Sequence, residues 1–263
     1  MPLLMHIWAL VARYYWALRS TPSRVIRFFF WPLLDVVIWG FIGQWMAKTY
    51  DPTSALAWSF VLAMSLSYLV RGTNYELAFT LLDEIHAYNL INLFATPLKL
   101  YEWLLAITIY SGLLIMAALL YSMTLISILY GAPALMLFKI TAVCAPGLFL
   151  AGLWLGFICL SLLLYAGKTA LELIPIFGWL FVPFSGVFYP ISILPVWAQK
   201  VSAFLPMSYF FESIRSYLIS GVWNAPQLLI GYALALFYCV LSAGIFVLAF
   251  NWTKQYGLTR LEH

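Results

Sequence analysis

Asp35 interrupts the apolar run that begins at Phe28, and Arg71 interrupts a second run that begins near Leu56. Asn74 and Glu76 follow Arg71 closely. A charge near the centre of a lipid-facing helix costs at least ~2.5 kcal/mol on insertion scales, so such groups pair or face a wet interior. Asp35 lies eight residues beyond Arg27, ~12 Å along a helix, and Arg71 lies twelve residues before Asp83, ~18 Å. The two depths overlap. The spacing predicts an Asp35–Arg71 pair between the first two apolar segments, with Glu76 as a second partner. Such a pair either staples two helices or lets Arg71 face an internal cavity and meet an anionic headgroup.

Other residues with chemical potential fail on spacing. Gly167-Lys168-Thr169 looks like the tail of a phosphate-binding loop, but Leu162 stands where that loop needs its first glycine. No ATPase site is therefore expected in this chain, and ATP hydrolysis would belong to a separate subunit. Ser185-Gly186 lacks the glycine two residues before the serine that a nucleophile elbow requires. His6 and His86 have no ligand-spaced partners, so no metal site and no catalytic residue is expected. Cys144, Cys159 and Cys239 lie in apolar runs, form no CxxC pair and read as small hydrophobes.

The elements that must hold these residues are apolar helices. The chain of 263 residues is 65% hydrophobic and 8% charged, against about 25% charged in soluble domains. So few charges cannot cover a water-facing surface, and the natural solvent is lipid. The 12 Trp and 17 Tyr suit headgroup-level helix ends. Six stretches are long enough to span: 25–47, 56–82, 103–130, 135–166, 171–189 and 226–252. The second is taken as one helix through Arg71, Asn74 and Glu76, because Leu77, Ala78, Phe79, Leu81 and Leu82 continue its apolar pattern. Residues 1–23 mix Trp8, Tyr14, Tyr15 and Trp16 with Arg13 and Arg19, the pattern of an interfacial amphipathic helix rather than a cleaved signal. Leu261-Glu262-His263 reads as a tag remnant, leaving residues 1–260 as a single domain.

Lysine and arginine set the orientation. With the N-terminus inside, Arg13, Arg19, Arg24, Arg27, Arg71, Lys99, Lys168, Lys254 and Arg260 fall on the cytoplasmic side or half. Lys48, Lys139, Lys200 and Arg215 fall outside. Both termini are then cytoplasmic, which requires an even number of crossings. The formal charge of +4 reads as this loop asymmetry and not as a nucleic-acid surface.

Two segments between spans carry further patterns. In residues 83–99, Leu90, Leu93 and Phe94 share one helical face while Asn89 and Asn92 share another, and Thr96-Pro97 stops the helix. Such an apolar face can press into a partner groove. Residues 190–225 hold Pro190, Pro195, Pro206 and Gly221 among aromatics such as Trp197. Its apolar pieces are too short to span, so broken helices that dip and return are expected. Glu212 and Arg215 are spaced to pair on one face. Gly152 and Gly156 permit close helix contact in the fourth span, within the chain or across a dimer seam.

The order of landmarks resembles the permease subunits of type-2 ABC exporters. Phe30-Trp31-Pro32-Leu33-Leu34, Leu93-Phe94-Ala95-Thr96-Pro97-Leu98 with the following Glu102, and Phe184-Ser185-Gly186-Val187-Phe188-Tyr189-Pro190 carry it. Leu194-Pro195, Leu205-Pro206 and Glu212-Ser213-Ile214-Arg215 then follow in the family's order. The family's Arg and Gly-Thr-Leu-Glu before the proline are replaced here by Glu84 to Leu90. The resemblance implies an all-α membrane protein of six transmembrane helices. It implies a cytoplasmic coupling helix after the second span, including Asp83, Glu84, Asn89, Leu90, Asn92, Leu93, Phe94, Thr96 and Pro97. An outer re-entrant segment would include Ser185, Gly186, Pro190, Pro195, Trp197, Pro206, Glu212 and Arg215. The implied assembly is a homodimer in the bacterial inner membrane, with lipid around it and an ATP-binding ABC ATPase subunit that holds the ATP and magnesium. The expected activity is export of an amphipathic or lipid-linked substrate. The alternative is a secondary transporter or channel working without an ATPase, which would be expected to show internal repeats.

Overall fold

The computed structural model describes residues 2–50 and 55–256. The side chains of Arg27 and Lys168, together with Arg260 and Leu261-Glu262-His263, lie outside the described residues. Among the described residues every regular element is helical. They run α1 (Pro2–Ser20), α2 (Pro22–Tyr50), α3 (Ala55–His86), α4 (Leu90–Ala95), α5 (Leu100–Tyr130), α6 (Ala134–Ala166), α7 (Leu173–Leu180), α8 (Val196–Phe204), α9 (Pro206–Ser220) and α10 (Ala225–Tyr256). Short 3-10 turns join α6 to α7 and lead from α7 to α8.

Among the described residues, four helical segments are long and apolar enough to cross a membrane: Arg24–Thr49, Leu100–Tyr130, Ala134–Ala166 and Ala225–Gln255. Their outward faces are apolar, as Phe41, Leu120, Leu135 and Leu248 illustrate. The chain thus has an all-α fold of membrane type.

The other two expected crossings differ from these four. α3 is one unbroken helix of 32 residues, ~48 Å long, and it runs straight through Arg71, Asn74 and Glu76. It tolerates those residues because α2, α5, α6 and α9 pack around it, leaving Leu62, Met64, Leu66, Leu77 and Ile85 with at most 0% exposure. The stretch 171–189, expected as a full crossing, contains α7 of only 8 residues, ~12 Å long. Pro183, Gly186 and Pro190 break the backbone beyond it. The 3-10 turns Gly167–Glu172 and Val182–Phe184 continue its helical turns on either side, so the stretch is helical without being one regular helix of spanning length.

The centre is the α3–α6 contact. A Cβ on Gly152 would meet Thr73 Cβ at 2.7 Å and the Val70 carbonyl at 3.0 Å. On Gly156 it would meet Leu77 Cδ1 at 2.4 Å. The small-residue pair therefore packs α6 against α3 inside the chain. On the far side of α6, Phe210 of α9 sits where a Cβ on Gly147 would lie, 2.0 Å from its ring, and α10 brings Gly231 to the same ring. Pro146 interrupts the α6 hydrogen-bond ladder, and Tyr232 of α10 donates to the Val143 carbonyl at 2.6 Å in that turn.

Candidate functional site

A cleft of about 460 Å³ opens between α2, α3, α5 and α7. Helical periodicity explains its wall. On α3, Tyr68, Arg71, Gly72, Tyr75, Glu76 and Phe79 recur at three- and four-residue spacing and so share one face. On α2, Arg24, Phe28, Trp31 and Asp35 do the same. Ile115 of α5 and Trp179 of α7 close the sides. The cleft thus joins a ring of aromatic faces to two acids and two arginines within a helical bundle.

Arg71 is the central group. It is 5% exposed and lies near the middle of α3. Its Nη2 donates to Asp35 Oδ2 at 3.2 Å and to Ser67 Oγ at 3.3 Å. Both distances are at the long end for a charged donor. Its guanidinium carbon stands 4.3 Å from the centre of the Trp179 ring, a cation–π contact. Its Nε has no hydrogen-bond partner among the described residues. The expected Asp35–Arg71 pair is therefore present, and Arg71 also faces a cavity. Glu76 lines the same cleft, but its carboxylate is not bonded to Arg71 in any described ion pair. Asn74 turns away, its Nδ2 donating to the Ile174 carbonyl at 3.1 Å and so tying α3 to the start of α7.

A second polar cluster binds α1 to the bend after α3. Arg13 donates to both oxygens of Glu84 at 2.7 Å. Glu84 also accepts from Asn89 Nδ2 at 2.7 Å, and Arg24 pairs with Asp83. Glu102 accepts the Lys99 amide at 3.0 Å, capping α5, and meets His6 Nδ1 at 3.2 Å. Trp103 Nε1 donates to the Tyr14 hydroxyl at 2.9 Å. Burial, with Glu84 nearby, pushes that hydroxyl far above the usual tyrosine range, so it stays protonated.

This bend corrects the face expected to dock. Leu90 and Leu93 point inward and are buried, and Phe94 packs on Phe250 with ring centres 4.6 Å apart. The six-residue α4 fills its own chain's core with its apolar side. Tyr88, Ile91, Asn92, Thr96 and Pro97 are among the exposed residues of the segment, with His86, Ala87, Ala95 and Lys99. Tyr88 stands in the left-handed region at φ 51°, an uncommon conformation for a bulky residue.

The segment between α7 and α10 is knitted together by polar groups. Arg215 donates to Glu212 at 2.6 Å and to the Gly186 carbonyl at 2.8 Å. Glu212 accepts the Ile191 amide at 2.7 Å. Gly186 has φ 77°, which a side chain would strain. Ser185 bonds back to the Val182 carbonyl, and Ser202 donates to the Phe184 carbonyl at 2.6 Å. Pro190 and Pro195 precede a short 3-10 turn and α8, and Pro206 opens α9, the helix start that proline favours. Trp197 is exposed at the edge of this layer, with its ring against Phe184.

Sequence reasoning found Asp35, Arg71 and Glu76 but missed the aromatic wall of Tyr68, Tyr75, Phe79 and Trp179. For Tyr68, Tyr75 and Phe79 the signal was available on α3, where they share Arg71's helical face. No protein-family model matches the chain, and no curated protein matches it.

Proposed function

We propose that this chain is the membrane-spanning subunit of an ATP-driven exporter, moving an amphipathic or lipid-linked substrate out of the cytoplasm or inner leaflet. The observation that carries transport is the aromatic cleft around Arg71. A membrane bundle that held Arg71 only as a staple would close around it. Here about 460 Å³ of space remains beside it, which is the size of a small-molecule site.

The finer architecture follows from the same reading. α2, α3, α5, α6 and α10 cross fully, and α7 with its following turns makes a short sixth crossing. α1 lies along the cytoplasmic surface, and α8 and α9 form the outer re-entrant layer. Both termini are then cytoplasmic in a bacterial inner membrane, and two copies work with two ABC ATPase subunits. The order of the Thr96-Pro97, Ser185-Gly186, Pro195, Pro206 and Arg215 landmarks supports the partnership. The exposed side of the bend at Tyr88, Ile91, Asn92 and Thr96 offers the surface for it. The ion pairs Arg13–Glu84 and Arg24–Asp83 tie the end of α3 to α1 and to the start of α2, so a push on α4 would move α1 and the cleft mouth together.

Ile91→Glu tests this directly. The side chain is exposed, so the protein should fold with an unchanged melting temperature. Copurification of an ATPase in detergent, and ATP-dependent export, should both fall at least tenfold. A chain that moves substrate across proteoliposomes with no ATPase present would instead be a secondary transporter, and the exporter reading would be wrong.

A further inference from the structure

Arg71 carries more hydrogen-bonding capacity than its neighbours use. A guanidinium offers five donors in a planar fork that matches an oxyanion. Asp35 and Ser67 both engage Nη2, at 3.2 and 3.3 Å, while Nε, on the adjoining edge, is buried without a partner. A buried charged donor left unbonded is costly, and at more than nine-tenths burial bulk water does not relieve it. The side-on edge formed by Nε and Nη2 is therefore underfilled. Ring faces flank that edge, Trp179 against the guanidinium itself and Phe28, Trp31 and Phe79 further along the cleft. Asp35 is the more exposed partner, with 20% of its side chain accessible against 7% for Arg71. It can release Arg71 without being stranded.

From this geometry we infer that the cleft binds an amphiphile bearing one oxyanion group, whose head displaces Asp35 from the Nε–Nη2 edge of Arg71 while its first carbons lie along the aromatic wall. The inference rests on the transporter reading and names the chemistry of its cargo. Asp35 is then a resident counter-ion, holding the arginine when the cleft is unloaded and competing with the ligand for it. About 460 Å³ accommodates a headgroup and a few methylenes. It cannot hold a polymer, so only the charged end of a larger substrate would enter.

The competition gives a sign that a helix staple does not. The full chain, purified in the uncharged detergent dodecyl maltoside, is titrated with dodecyl phosphate and followed by native mass spectrometry and thermal melting. One dodecyl phosphate should bind per chain and raise the melting temperature. Arg71→Gln should weaken binding about tenfold or more, the scale of a charged hydrogen bond. Arg71→Lys keeps the charge for folding but loses the fork, and should also bind more weakly. Asp35→Asn should bind severalfold more tightly than the natural chain. Dodecyltrimethylammonium should not bind at the site. Unchanged or weaker binding by a folded Asp35→Asn chain would overturn the counter-ion exchange. Equal binding of inorganic phosphate would assign the site to free phosphate and overturn the amphiphile. Loss of all dodecyl phosphate binding alongside intact ATPase-driven export would remove this inference alone. Tight binding in a chain that needs no ATPase would remove the exporter reading and leave the site.

Discussion

At the scale of single residues, Arg71 and Glu84 are two buried charges held in different ways. Arg71 has weak bonds and a ring face. Trp179→Ala removes that face, a contact worth about 0.5–2 kcal/mol, and should lower the denaturation midpoint in detergent by about that amount. It should also loosen the dodecyl phosphate site. Glu84, 2% exposed, has three short bonds, two of them from Arg13. Because the Arg13 side chain is 43% exposed, water screens the pair, and Glu84→Gln should cost only about 1–2 kcal/mol. Hydrogen exchange checks where that loss falls: α1 amides should exchange faster while α6 amides keep their protection. Equal protection of α1 in both proteins would show that its apolar face alone holds it. The Asp35–Arg71 pair was legible in the sequence because depth along two helices can be counted from their ends. Trp179 was not, because its approach depends on how α7 is broken.

At the scale of elements, the small residues of α6 decide the packing. Gly152 faces backbone carbonyls of Val70 and Leu69 at 3.0 and 3.1 Å, whereas Gly156 faces the end of the Leu77 side chain. Backbone cannot step aside and a side-chain tip can. Gly152→Ala should therefore destabilise by about 1–3 kcal/mol, and Gly156→Ala by clearly less, in the same detergent unfolding assay. The reverse ranking would mean that the two helices slide apart easily. The GxxxG spacing announced a close contact but could not name the partner, since Gly152 and Gly156 would serve α3 or a second copy equally. α4 shows the complementary limit. Leu90, Leu93 and Phe94 were legible as one apolar face. Nothing in their spacing said whether Phe250 and Trp103 of the same chain, or a foreign groove, would cover it.

At the scale of the molecule, the proposed path puts successive helix ends on alternate sides of the membrane, and that alternation can be probed in cells. With Cys144, Cys159 and Cys239 replaced by alanine, single cysteines at Thr49 and Ser220 should react with an impermeant maleimide from outside. Cysteines at Ala87 and Thr169 should react only after permeabilisation. All four positions are exposed in the chain, so a silent site reports sidedness and not burial. Ala87 and Ser220 labelling from the same side would break the proposed six-crossing path. The apolar helices α2, α5, α6 and α10 were legible from composition because lipid demands the same thing of every residue on their outer faces. α3 was harder, since a helix wrapped by others answers to its neighbours and not to lipid, and α7 was harder because Pro183, Gly186 and Pro190 break the backbone beyond it.

That wrapping has a consequence for biogenesis. In the proposed six-crossing path, α3 would present Arg71, Asn74 and Glu76 to the translocon before α5 and α6 have emerged to shelter them, and at ~2.5–3.5 kcal/mol for a central arginine on insertion scales it would be a poor integrator by itself. A nascent chain released after Ala95 should leave this helix outside the bilayer, while one extended past Ala166 should draw it in. The order of synthesis thereby becomes part of the fold: the most enclosed helix of the bundle is made early and must wait at the membrane for its shelter to be translated.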